Sequence, residues 1–159
     1  MLMHQGMGLE AYNALPMRRA VHAVYECCYS VPLAADIARA RPYDTHDALF
    51  RQADALLFGL CEDSIDGILQ AYTIGRCWER RPDVQAELAT AVTRYSDRFG
   101  FGFIMCTADC RADEILAVLA DRMHNDDETE RKIVRNEMAR INRVRLERML
   151  GPEGGFYNW

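Results

Sequence analysis

Apolar residues in this chain recur at intervals of three and four, segment after segment, and no stretch alternates cleanly between apolar and polar. That pattern specifies amphipathic helices and leaves little from which a sheet could be built. Pro16 opens a segment to about Tyr29 carrying Leu15, Val21, Val24, Tyr25 and Cys28; proline costs nothing at a first helical position. Pro32 marks the next break, and a short segment to Ala40 ends at Arg41-Pro42. Asp44 or Thr45 caps a helix with Ala48, Leu49, Ala55, Leu56 and Leu60. Asp63 or Ser64 caps another, from Ile65 to about Tyr72. Asp83 starts a helix to about Arg98 with Leu88, Ala91, Val92 and Tyr95. Asp113-Glu114 lies early in the next, whose apolar face is Ile115, Leu116, Val118 and Leu119. Asp126, Asp127 and Glu128 begin a long final helix that runs to Leu150 and stops at Gly151-Pro152. The exception is the apolar, aromatic run Phe101 to Cys106. It reads as an extended buried connection whose backbone amides need partners in the protein or in a ligand. The expectation is an all-α, single-domain helical bundle over 1–159, with tails at 1–11 and 151–159.

Composition narrows the chemistry. The 159 residues are half apolar with a net charge of −5, which argues against a broad nucleic-acid surface. No apolar run approaches a membrane span, and the N-terminus lacks the charged and apolar regions of a secretory signal. A cytoplasmic protein follows, with Cys27, Cys28, Cys61, Cys77, Cys106 and Cys110 reduced. Cys106 and Cys110 have no second ligand pair at zinc-site spacing, so no metal is expected. Lys132 is the sole lysine among nineteen basic residues, and the histidines are His4, His22, His46 and His124. Mechanisms that need an amine or an imidazole therefore have five residues to draw on.

On the final helix, Val134, Met138, Ile141 and Met149 share a face, and Arg145 falls near its middle. A guanidinium there needs a partner if buried; its planar fork suits a carboxylate of the protein or of a substrate. The alternative is an arginine that reaches water over an apolar surface. Arg135, Arg140, Arg143 and Arg148, interleaved with Glu137 and Glu147, read as a solvated face.

The run Tyr95-Ser96-Asp97-Arg98-Phe99-Gly100-Phe101-Gly102-Phe103-Ile104-Met105-Cys106 resembles a signature of the 2-oxo-4-hydroxy-4-carboxy-5-ureidoimidazoline (OHCU) decarboxylases. Ala112 to Leu116, Arg122 to Asp126 with Glu130, and Ile141 to Leu150 fit the same family. So do Asn13-Ala14-Leu15-Pro16, Cys27-Cys28 and Ala40-Arg41-Pro42-Tyr43. The resemblance implies an all-helical homodimer without metal or organic cofactor, acting on a small molecule in urate breakdown. It implies that Arg145 and the backbone of Ile104, Met105 and Cys106 bind substrate. The family's catalytic positions do not carry over. Tyr72 stands at the histidine of its Ala-His-Pro segment. In Trp78-Glu79-Arg80-Arg81-Pro82-Asp83, Glu79 stands at a serine and Pro82 at the catalytic glutamate. Either Tyr72 and Glu79 form a rebuilt acid–base pair, or Tyr72 fills space and Glu79 pairs with a neighbouring arginine. Three readings stay open: a diverged enzyme for a small carboxylate- or ureide-containing substrate, a non-catalytic binding homologue, and OHCU decarboxylation by the rebuilt pair.

Overall fold

A computed structural model describes residues 6–72, 82–107 and 110–152. Among them the chain forms eight helices: α1 (Leu9–Ala14), α2 (Met17–Cys28), α3 (Val31–Arg39), α4 (His46–Phe58), α5 (Glu62–Ala71), α6 (Pro82–Phe99), α7 (Ala112–Arg122) and α8 (Asp127–Leu150). They fall into two compact units, Met1–Cys61 with Ala139–Trp159, and Glu62–Met138. The polypeptide of α8 thus contributes its first half to the second unit and its second half to the first.

In the first unit, Ala20, Ala23, Val24, Cys27 and Cys28 of α2 are buried with Leu33, Ala34, Ile37 and Ala38 of α3. The α2 face is shifted from the one the spacing suggests: Tyr25 is exposed and two alanines are buried. Pro32 is not a break but lies in the first turn of α3, where its missing N–H costs no helical bond. Thr45, not Asp44, caps α4, its hydroxyl accepting the Ala48 N–H at 3.0 Å. Asn13 binds both backbone groups of Tyr43, donating to its carbonyl at 2.8 Å and accepting its N–H at 2.9 Å. Arg41 donates to the carbonyls of Tyr12 at 2.9 Å, Leu15 at 2.7 Å and Ala38 at 2.8 Å. These contacts tie the start of the chain to the turn between α3 and α4.

Residues 6–11 are not a free tail. The N–H groups of Gly6, Met7 and Gly8 donate to the carbonyls of Arg148, Met149 and Leu150. Those are orphan acceptors of the last turn of α8, which must be satisfied somewhere. Gly6 and Gly8 adopt positive φ, as does Gly151 beyond the helix end, a conformation glycine reaches without a Cβ penalty.

In the second unit α5 begins at Glu62, ahead of the expected Asp63 or Ser64 cap, so both of those residues are helical. Tyr95 stacks among Phe99, Phe101 and Phe103, with centroids 4.7, 6.0 and 5.2 Å away. At the centre lies an ion pair. Arg122 is 5% exposed and Glu130 is 0% exposed. Arg122 Nε and Nη2 meet Glu130 Oε1 at 2.6 and 2.5 Å. Arg122 Nη1 donates to the Ile104 carbonyl at 2.7 Å. Tyr95 donates its hydroxyl proton to Glu130 Oε1 at 2.5 Å, and Asn125 donates to Oε2 at 3.0 Å. Burial, then the hydrogen bond to Glu130, push the Tyr95 phenol well above its ordinary value.

Truncating one partner of such a pair strands the other as a buried charge. Arg122→Ala and Glu130→Ala are each expected to lose about 3–5 kcal/mol of unfolding free energy, measured by urea titration. Replacing both by apolar residues of similar volume is expected to cost much less than either single change, because no charge is left unpaired.

Candidate functional site

Arg145 lies on the half of α8 that belongs to the first unit. Its Nη1 donates to the Cys27 carbonyl at 3.3 Å, and its guanidinium lies over the Tyr29 ring, 4.7 Å from the centroid. Tyr29 is the left-handed C-cap of α2 at φ 52°, so the cation sits at a helix C-terminus, where the helix dipole favours positive charge. Buried on α8 are Met149 and a line of residues four apart, Glu130, Val134, Met138, Asn142, Leu146 and Leu150. Steps of four turn about 40° past a full revolution, so this line drifts around the helix. Ile141 and Arg145 are therefore half-buried flanking residues, and Arg145 is at the edge of the stripe instead of its middle.

Cys27 and Cys28 lie under this corner. Burial pushes their thiols up, to about 12 and about 11, while the Arg145 charge pulls each back part of the way. The Tyr12 hydroxyl, fully buried in the same unit, makes no hydrogen bond, and burial raises it as well.

The second unit carries the connection from Phe101 onward. Phe101, Phe103 and Ile104 are buried, while Met105 and Cys106 are half-buried. Its backbone partners are charged side chains. The Ile104 carbonyl accepts from Arg122, and the Cys106 N–H donates to Glu137 Oε2 at 2.7 Å. Glu137 is thus half-buried and engaged, not part of a solvated face. Arg135 is likewise drawn in, its side chain 14% exposed and 2.6 Å from Glu62. Arg131 pairs with Asp66 and lies over the Phe101 ring at 4.2 Å.

Tyr72 follows the last turn of α5, half-buried, with its N–H on the Leu69 carbonyl at 3.2 Å. Glu79 and Trp78 lie outside the described residues, as do Cys77 and Trp159. Among the grooves that described residues form are two in separate units. One, of about 370 Å³, includes His46, Phe50, Arg143 and Glu147 in the first unit. The other, of about 590 Å³, runs between α6 and α7 in the second. Neither is lined by Tyr72, Arg145 or Ile104 to Cys106. No group of three His, Cys, Asp or Glu side chains is placed to hold a metal among the described residues. No helix of the described residues is long and apolar enough to cross a membrane.

A model of the OHCU decarboxylase family matches residues 13–76 and 74–147. The chain belongs to the OHCU decarboxylase family. A curated relative from Amia calva, 2-oxo-4-hydroxy-4-carboxy-5-ureidoimidazoline decarboxylase, is 37% identical over 54 residues, 34% of this chain and 31% of the relative. That alignment thus spans about a third of the relative's length. Among solved structures, an (S)-allantoin synthase superposes with TM-score 0.73 at 18% identity, covering 87% of this chain and 52% of that one. An OHCU decarboxylase crystallised in the presence of (S)-allantoin superposes with TM-score 0.72 at 22% identity, covering 79% and 95%. These likenesses establish the all-α fold.

Read from sequence, Arg122 and Glu130 are only family matches and Glu137 is only part of a solvated face, which misses the buried pair and the Cys106 contact. A signal for Glu130 was present: it precedes Val134 and Met138 by four and eight positions, an acid on the apolar stripe.

The buried thiols give a pH signature. An unfolded cysteine titrates near 8.5, and the folded values lie above it. A group raised on folding contributes stability below its unfolded value and loses it as pH rises toward the folded one. Unfolding free energy is therefore expected to fall from about pH 9 upward, and less steeply in a Cys27→Ala, Cys28→Ala double variant. Urea midpoints at pH 7, 9 and 10 read this directly.

Proposed function

We propose that the chain is a diverged OHCU decarboxylase-like enzyme acting on a small N-heterocyclic substrate with a carboxylate or ureide edge. Its reaction is decarboxylation or a rearrangement assisted by proton transfer, without metal or organic cofactor. The observation that carries the divergence is Tyr72 at the family's histidine, in a chain with no histidine between His46 and His124. The family match divides at 74–76, next to this position, which supports a local rebuilding there. A single family model reaching from 13 to 147 supports reading both compact units as one functional domain.

The roles follow from ordinary acid–base strengths. A tyrosine titrates near 10 and a histidine near 6.5, so at neutral pH a phenol gives a proton more readily than it takes one. When a carboxylate leaves as CO2, the C–C electron pair stays on the ring carbon, which must then be protonated or its charge spread into the ring. Tyr72 is the donor in this reading, and the Glu79 carboxylate takes a proton from water and passes it to the Tyr72 phenolate, which restores the donor. Arg145 holds an anionic edge with the donors of its fork, and the backbone of Ile104, Met105 and Cys106 holds an amide or ureide edge. The active species is a cytoplasmic homodimer in this proposal, which sedimentation velocity checks.

The test supplies freshly generated OHCU and follows CO2 release and the chirality of any allantoin. Turnover that Tyr72→Phe or Glu79→Gln abolishes identifies OHCU itself as the substrate. Absent turnover with retained binding of a ureide or carboxylate ligand favours either a different substrate of the same class or a non-catalytic binding homologue. Loss of one charge-assisted contact in Arg145→Met is expected to weaken such binding about ten- to a hundredfold, measured by calorimetry. A wild-type protein that neither turns over OHCU nor binds any ligand of this class overturns the proposal.

A further inference from the structure

The two peptide groups on either side of Met105 are both pinned by charged side chains of the second unit. The Ile104 carbonyl accepts from Arg122 Nη1 at 2.7 Å, and the Cys106 N–H donates to Glu137 Oε2 at 2.7 Å. Among the described residues the one cis peptide is Arg41–Pro42, so both of these peptides are trans. In a planar trans peptide the N–H and the C=O point in opposite directions. Holding the Ile104 carbonyl on Arg122 therefore turns the Met105 N–H away from Arg122. Holding the Cys106 N–H on Glu137 turns the Met105 carbonyl away from Glu137.

The two anchors differ in strength. Arg122 is itself buried and locked by Glu130, so its end of the segment is fixed whatever else happens. Glu137 is half-buried on α8 and sets the other end, through a charge-assisted bond to a neutral amide. We propose that Glu137 is a positioning residue: with Arg122 it fixes both peptides of Met105, so that the Met105 N–H and C=O form the pair that reads a ureide or lactam edge. Such an edge carries a donor beside an acceptor, the complement of one backbone residue's own groups. The inference rests on the reading of Ile104 to Cys106 as a ligand cradle. It adds the residue that orients the cradle and does not itself touch the ligand.

The experiment uses allantoin as the ureide probe, with the full chain as wild type, Glu137→Gln and Glu137→Ala. Glutamine keeps an acceptor for the Cys106 N–H, while alanine removes it. Calorimetry gives the affinities, and amide hydrogen exchange followed by NMR gives the protection of Cys106. The expected result is that Glu137→Ala exposes the Cys106 amide and weakens allantoin about tenfold, the scale of one misdirected hydrogen-bonded pair. Glu137→Gln is expected to restore both within about threefold, a rescue that nonspecific loss of folding would not produce. Wild-type binding that Glu137→Ala leaves unchanged overturns the positioning role while the cradle stands. Cys106 protection lost in Glu137→Ala, in a wild type that binds no allantoin, overturns the cradle reading and this inference with it.

Discussion

The second unit depends on one sealed ion pair. Taking Arg122 and Glu130 out of water costs several kcal/mol per ion, and their attraction offsets this only if their remaining hydrogen-bonding capacity is used. The structure uses it. Glu130 Oε1 receives the Arg122 guanidinium and the Tyr95 hydroxyl, and Oε2 receives Asn125. The guanidinium reaches the Ile104 carbonyl and lies over the Phe103 ring at 4.6 Å. Four pieces of chain are thereby fixed to one point: α6 through Tyr95, the aromatic connection through Phe103 and Ile104, α7 through Arg122, and α8 through Glu130. None could shift without leaving a charge or a carbonyl unsatisfied. The aromatic rings around Tyr95 then pack against a frame that is already set.

The arginine excess follows from a related demand. Helix C-termini leave carbonyls without partners, and a cation there also suits the dipole. Arg41 gathers carbonyls at the ends of α1 and α3. Arg98 donates to the carbonyls of Met123 and Asn125 beyond α7 at 2.9 and 2.8 Å. Arg145 reaches the Cys27 carbonyl near the end of α2. A planar fork with five fixed donors can bridge several carbonyls at once, which a single ammonium on a flexible stem does poorly. A fold of short helices has many such ends, and a chain with eighteen arginines and one lysine is suited to closing them.

Helix periodicity made the existence of α2 to α8 legible, because each long segment buries one face. What escaped were features without periodicity. α1 is six residues long, has no side-chain cap at Gly8 and buries only Tyr12, so no local signal marks it; its reason to exist is the Asn13 and Arg41 contacts thirty or so residues away in the chain. Pro32 misled because the same residue ends one helix and suits the first turn of another. Arg145 was drawn into the middle of the stripe by treating α8 as one straight face, whereas its buried line drifts. Glu137 read as one more surface acid, since nothing in its spacing reveals that a half-buried amide lies opposite it.

The residues by which the chain resembles its family divide by physical duty. Asn13, Arg41 and Tyr43, and Arg122, Asn125 and Glu130, belong to saturated hydrogen-bond networks. A fold stable by about 5–15 kcal/mol cannot readily give up a buried pair whose disruption alone costs about 3–5. Tyr72 is half-buried just past the end of α5, with its backbone N–H on the Leu69 carbonyl. In the proposed reading that position carries a phenol where the family has an imidazole. The chemistry that such a change permits is constrained in turn, because a phenol exchanges a ready base for a ready donor. In that reading the base comes from elsewhere, and the Glu79 carboxylate is the group assigned to it.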